Sequence, residues 1–183
     1  MTADEFWRSL FGRSAPVEVE IGSGTGAFLC AAAVLHPERN FFGIEYSASR
    51  HARLASDIER RGLPNVRVLR ADAACVIANV IPDASVSAYH IAFPDPWWKR
   101  RHHRRRLFTP EFVAALARTL RPDGTVHVIT DVPEYFSRMV ELLESHFLRQ
   151  PTATKRPAVT RFQSKALARG ATIHAASFRK PAG

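Results

Sequence analysis

One carboxylate in this chain stands in a setting suited to chemistry. Asp95 lies between Pro94 and Pro96 and is followed by Trp97 and Trp98. It stands at the root of the run Lys99–Arg106, in which six of eight residues are Lys or Arg and the other two are His102 and His103. Prolines restrict the backbone on both sides of Asp95, so its carboxylate is held in place. A dense cationic run suits phosphates, and indoles suit the face of a base. One fixed acid beside both suits charge stabilisation at a nucleobase. A metal role for the histidine pair is not expected, because adjacent histidines lack converging partners in the sequence.

A second constellation lies upstream. Glu20 precedes the loop Gly22-Ser23-Gly24-Thr25-Gly26, which suits close approach of backbone to a ligand, although a plain tight turn would also account for it. The spacing is G-x-G-x-G rather than the G-x-G-x-x-G of dinucleotide binders. Glu45 follows Gly26 by 19 residues, where a carboxylate can accept both ribose hydroxyls. Asp72-Ala73 would lie at a base edge. A carboxylate at Glu20 repels a pyrophosphate and attracts a cationic ligand. Together these point to S-adenosylmethionine, which carries a sulfonium and an ammonium. Glu20, Gly22, Gly24, Gly26, Glu45, Asp72 and Ala73 are the expected donor-binding residues.

The elements needed to position these residues are legible. Strands are expected at 17–21, 41–45, 66–70, 86–93 and 125–130 from their β-branched and apolar content. Helices are expected at 27–36, from Ser47 to Arg61 with Gly62 as its stop, after Asp72, at 110–120, and at 133–147. Pro122-Asp123-Gly124 reads as a turn. Glu5–Arg13 reads as a short amphipathic helix and 150–160 as loop. A last strand is expected at 171–178, paired with one near Val159–Phe162. Alternating strands and helices give one α/β, Rossmann-like domain over 1–183, a mostly parallel sheet with helices on both faces. Its N-terminal segment is 1–15, its basic loop 93–107 and its C-terminal basic segment 150–183. Ligands bind outside the carboxyl ends of such strands, where the glycine loop, Glu45, Asp72, Asp95 and Asp131 all fall.

Composition agrees with this picture. The chain has 183 residues, 46% of them hydrophobic, which suits a single packed core. No apolar run approaches a membrane span and the N-terminus lacks a signal-peptide pattern, so a cytoplasmic protein without a membrane partner is expected. Cys30 and Cys75 sit in apolar surroundings without metal or redox spacing and are expected to be reduced core thiols. Of the net charge of +9, Lys99–Arg106 carries +6 and residues 152–183 carry +7, leaving −4 on the other 143 residues. Net positive charge confined to two segments indicates a polyanion surface, although two solvated loops would look the same.

The stretches VEVEIGSGTGAFL, FFGIE, ADA, FPDPWWKRRHHRRRL, ITD and TRFQ occur in the order found in the bacterial tRNA (guanine-N7)-methyltransferases, and the chain resembles that family from about Val17 to Phe178. The resemblance implies a class I methyltransferase fold with a seven-stranded sheet and methylation of N7 of a variable-loop guanosine in tRNA. It assigns Glu20, Glu45, Asp72 and Asp95 to the methyl donor. It assigns Lys99, His102, Arg105, Asp131 and Thr160–Gln163 to substrate or catalysis. Asp95 and Asp131 are the expected catalytic pair, facing the purine as it becomes cationic. Lys99, Arg101, His102, Arg104, Arg105 and Arg106 are expected on tRNA, with Thr160, Arg161 and Gln163 near the guanine. Trp97 is expected to plug the core, which leaves Trp98 to stack on a base. The sequence departs from the family at Gln163, where the family has Glu, and in the roughly 16 residues before its first strand. A monomer or homodimer is expected. A same-fold RNA-binding protein with weak catalysis, a methyltransferase for another substrate and a nicotinamide-dependent oxidoreductase stay open at this point.

Overall fold

In the computed structural model, which describes residues 1–151 and 161–182, strands and helices alternate as α1 (Ala3–Phe11), β1 (Val17–Ile21), α2 (Ala27–Leu35), β2 (Asn40–Ile44), α3 (Ala48–Arg61), β3 (Val66–Leu69), α4 (Ala73–Asn79) and β4 (Val86–Ala92). A 3-10 helix (Arg100–Arg105) follows, then α5 (Pro110–Thr119), β5 (Leu120–Thr130), α6 (Pro133–Glu144), β6 (Leu148–Arg149), α7 (Arg161–Ala168) and β7 (His174–Arg179). The seven strands form one sheet in the order β3-β2-β1-β4-β5-β7-β6. β1 to β5 are mutually parallel, and β7 runs antiparallel to both β5 and β6.

Local chemistry sets the helix ends. The Ser47 hydroxyl accepts from the Arg50 amide at the start of α3, and Gly62 closes the helix in the left-handed conformation. Asp72 caps α4 by accepting from the Cys75 amide. Thr109 caps α5, and Pro110 occupies the first turn, where its missing N–H costs nothing. Thr2 and Glu5 form a reciprocal capping box on α1.

One face of the sheet packs against α1, α4, α5 and α6 around Tyr89, Ile91, Val126, Val128 and Phe178. The other packs against α2 and α3 around Phe28, Leu29, Phe41 and Leu54. Gly43 of β2 lets the glycine loop sit down on the sheet, since a Cβ there would lie 2.6 Å from the Ser23 hydroxyl. Gly26 has φ +75° and a Cβ on it would lie 2.2 Å from Leu54 Cδ1, so this glycine serves the packing of α3 against the loop.

Three expectations need correction. The partner of the last strand is the two-residue β6 together with β5; Arg161 and Phe162 open a helix instead of a strand. The strand expected near Val159–Phe162 and the loop expected at 150–160 otherwise fall at 152–160, outside the described residues. Cys75 is exposed, because α4 is too short to be buried all round and turns Val76 and Ile77 inward; only Cys30 is a core thiol. The expected turn at Pro122–Gly124 stands inside β5 as an irregularity. Pairing with β4 jumps from Val86↔Leu120 to Ala88↔Thr125, with Asp123 at φ +59°.

Candidate active site

The carboxyl ends of β1, β2, β3, β4 and β5 converge on one cleft of about 680 Å³. Gly22, Gly24, Glu45, Asp72, Asp95 and Asp131 all line it, although they come from five separate segments. Parallel strands end on the same side of a sheet, which is why distant acids meet there. A second recess of about 370 Å³ adjoins it, sharing Gly22, Gly24 and Phe93 and adding Glu20.

The glycine loop is tied to Glu45. Its Oε2 accepts from the Gly24 amide at 2.8 Å, and Oε1 accepts from the Ser47 amide at 2.8 Å and from Arg50 Nε at 3.1 Å. Glu45 is 3% exposed, so its geometry is fixed by three donors from two sides. A carboxylate oxygen has about two acceptor sites, and Oε2 retains one for a hydroxyl. Asp72 is exposed and divides its carboxylate between capping α4 and facing the cleft, with Ala73 beside it.

Asp95 occupies a constrained turn. Its Oδ1 accepts from the Trp97 amide at 3.0 Å. Phe93 and Trp97, on either side, have φ of +50° and +46°. Bulky residues seldom adopt that region, at a cost on the order of 1 kcal/mol or more each. The strain is held by the surroundings: Phe93 N–H donates to the Ile129 carbonyl at 2.7 Å, and Arg106 Nε donates to the Pro96 carbonyl at 2.7 Å. Asp131, at the end of β5, accepts from Arg169 Nη2 at 3.2 Å.

The cationic run divides in two. Lys99, Arg101, Arg104 and Arg105 are exposed along the 3-10 helix beside the cleft, and Arg105 lines it. Arg105 stacks over the Trp97 ring at 5.1 Å and His102 meets the ring edge at 5.9 Å. Trp97 is therefore half-buried beneath this run and is not the core plug expected from sequence, whereas Trp98 is 75% exposed at the cleft. Arg106 departs from the expectation of a tRNA contact. Its side chain is 9% exposed, forms a two-pronged pair with Glu134 at 2.9 and 3.0 Å, and lies 4.7 Å over the Tyr135 ring. It fastens the loop to α6. The hydrogen bond from Arg106 in turn holds the Glu134 carboxyl below its ordinary pKa.

α7 and the turn after it contribute what the sequence reading missed. Lys165 and Arg169 line the cleft beside Phe162 of the TRFQ stretch, and i, i+3, i+7 periodicity from Phe162 was the available signal. Arg50 and Arg53 of α3 line the recess and were equally unmarked. Gln163 is half-buried and is not part of either lining. Thr160 lies outside the described residues, and of Arg161 only the backbone, opening α7, is described. Gly26 lines neither cavity. Among the described residues no group of three or more His, Cys, Asp or Glu is placed to hold a metal ion, and no helix is long and apolar enough to cross a membrane.

Beneath the site, on the α2 face, a buried polar row crosses the sheet. His90 Nε2 and Glu18 Oε2 are 2.7 Å apart, and Arg39 pairs with the other Glu18 oxygen at 2.5 Å. Burial opposes ionisation of Glu18, but His90 and Arg39 outweigh it and hold the carboxyl at about 2.

The fold is shared with solved methyltransferases. The 16S rRNA methyltransferase KamB superposes with a TM-score of 0.72 at 17% identity, covering 97% of this chain and 94% of that one. The aminoglycoside resistance methyltransferase NpmB1 superposes with a TM-score of 0.67 at 16% identity, covering 98% and 94%. The chain shares the fold of these methyltransferases. A family model described as "Putative methyltransferase" matches residues 14–176. The tRNA (guanine-N(7)-)-methyltransferase of Alkalilimnicola ehrlichii is 40% identical, covering 93% of this chain and 75% of that protein. That of Cupriavidus necator is 40% identical over 96% and 70%, and that of Nitrosomonas eutropha 39% over 95% and 80%. The chain belongs to the tRNA (guanine-N(7)-)-methyltransferase family.

Proposed function

We propose that this protein transfers a methyl group from S-adenosylmethionine to N7 of a guanosine in tRNA, in the cytoplasm. The observation that carries the reading is the meeting of Asp95 and Asp131 in one cleft with the glycine loop, beside a rim of exposed cations. The residues present fit the donor. Glu45 is fixed by the loop it faces and keeps an acceptor site for a ribose hydroxyl. The cleft and its recess together are large enough for a nucleoside with an amino-acid arm. Asp72 and Ala73 would border the base, and buried Glu20 the cationic end.

When bound, the donor supplies an electrophilic methyl on a sulfonium. Guanine N7 presents a free lone pair in the major groove and needs no deprotonation. The chain's task is therefore alignment and charge. Asp95, held in its strained turn, and Asp131, at the neighbouring strand end, stabilise positive charge on the purine. They also accept from N1–H and N2–H₂, which distinguishes guanine from adenine. Exposed Trp98 offers a stacking face worth about 1–3 kcal/mol. Lys99, Arg101, Arg104 and Arg105 track phosphates.

Labelled methyl transfer to an unmodified tRNA transcript, with the product nucleoside identified, tests the reading. 7-Methylguanosine is expected. Salt-sensitive tRNA binding without transfer would overturn the catalytic assignment and leave an RNA-binding protein of the same fold.

A further inference from the structure

Arg50, Arg105, Lys165 and Arg169 are the cations that line the cleft among the described residues. Arg50 pairs with Glu45 at 3.0 Å, and Arg105 stacks over Trp97 at 5.1 Å. Among the described residues only Arg169 touches one of the two acids assigned to the purine, with Nη2 3.2 Å from Asp131 Oδ2. The chain sets its place. Just after α7 the Arg169 amide donates to the Ala166 carbonyl at 3.1 Å, that of Gly170 to Leu167 at 2.9 Å and that of Ala171 to Ala166 at 3.0 Å, with Gly170 at φ +73°. Amides satisfy these carbonyls, so the guanidinium is not needed as a helix cap. It reaches across to the end of β5 instead. The Arg169 side chain is 68% exposed, so the pair is weak and yields readily. Asp95 differs: its Oδ1 accepts from the Trp97 amide, and no cation pairs with it among the described residues.

A cation on one acid and none on the other has a consequence at the end of the reaction. Methyl transfer moves the positive charge from sulfur to the purine, so the product base is a cation where the substrate base was neutral. Two bare carboxylates would hold that cation more tightly than the substrate, and the product would block the site. Arg169 offsets one carboxylate, so the product cation faces the net charge of the other alone. We propose that Arg169 discriminates between substrate and product: it competes with the methylated base for Asp131 and so promotes release. The proposal rests on the reading that Asp131 faces the purine. An exposed arginine suits this part, because it swings into solvent at little cost while a neutral guanine is in place and returns once the base is charged. The turn after α7 thereby acts on turnover, through Asp131 and not through the methyl donor.

The test is equilibrium binding of two tRNA transcripts, identical except that the guanosine methylated by the wild type is 7-methylguanosine in one. Slightly acid pH keeps N1–H and the positive charge on the methylated base. The ratio of the two affinities cancels any phosphate contact that Arg169 makes with both. The wild type should bind the two nearly equally. Arg169→Met should bind the methylated transcript about two- to fivefold more tightly than the unmodified one, the range of one exposed ion pair. It should also show a burst of 7-methylguanosine followed by slower turnover. Arg169→Lys, which keeps the charge, should keep the wild-type ratio, and adding Asp131→Asn to Arg169→Met should restore it. An unchanged ratio in Arg169→Met overturns the proposal, as does a Lys variant that behaves like the Met variant. A lower single-turnover rate with the ratio unchanged also overturns it, and makes Arg169 an orienting residue for Asp131. A wild type that makes no 7-methylguanosine overturns the function reading and this proposal together; one that makes it, with no change of ratio in Arg169→Met, overturns the proposal alone.

Discussion

Arg106 is the clearest case in which position in the fold overrides membership in a charge run. In the sequence it is one of six cations; in the structure it is the bolt between the Asp95 turn and α6. Replacement by Met removes three contacts at once. The pair with Glu134 contributes about 0–1 kcal/mol, because Glu134 is 68% exposed. The charge-assisted bond to the Pro96 carbonyl contributes about 1.5–3 kcal/mol. The Tyr135 stack contributes about 0.5–2 kcal/mol. Methionine regains part of the packing, so a net loss of about 3 kcal/mol is expected, or roughly 6–12 °C in Tm if the loop melts with the domain. Thermal unfolding and tRNA binding as a function of salt read the two roles separately. Arg106→Met should lower Tm and leave the salt slope unchanged. Arg101→Ala and Arg104→Ala should leave Tm unchanged and each reduce the slope by about 0.7–0.9, the value of one phosphate contact. Arg106→Met with an unchanged Tm and a reduced slope would refute the reasoning and return Arg106 to the RNA surface.

Three further outcomes are expected. Glu18 is held at about 2 against an ordinary value of 4.5, so its contribution is present above pH 4.5 and is lost as pH falls towards 2, at most about 3 kcal/mol; Glu18→Gln should flatten that part of the Tm–pH curve, and an unchanged curve would contradict the buried pairing. Asp95→Ala should abolish turnover while tRNA affinity survives; loss of both together would show that Asp95 only shapes the loop. Gln163→Glu should leave the single-turnover rate unchanged, because Gln163 stands outside the cleft lining, and a gain of about tenfold would put its side chain at the guanine.

The sequence was readable wherever the signal was local. Ser47 and Gly62 mark the ends of α3, and Asp72 marks the start of α4, because caps act over three or four residues. The convergence of Glu45, Asp72, Asp95 and Asp131 was readable because parallel strands place their ends on one side. What failed was set at long range. Leu148–Arg149 is a strand only because β7 pairs with it, and two exposed residues carry no periodicity. Arg106 differs from its neighbours only through Glu134 and Tyr135, nearly thirty positions away. Cys75 shares its apolar surroundings with Val76 and Ile77 but faces out, a matter of one helical step. Gln163 drew attention as a departure from a family motif, while the rim residues Lys165 of α7 and Arg169 just after it carry no motif.

The most direct measurement compares single-turnover methyl transfer on two tRNA transcripts, one unmodified and one with 7-deazaguanosine in place of guanosine. The deaza base keeps the N1–H and N2–H₂ groups that Asp95 and Asp131 are assigned to hold, and lacks only the N7 lone pair. Both transcripts should bind equally, and only the unmodified one should be methylated, yielding 7-methylguanosine. Transfer to the 7-deazaguanosine transcript at the same rate, or a methylated product other than 7-methylguanosine, would contradict the assignment of this cleft to guanine N7.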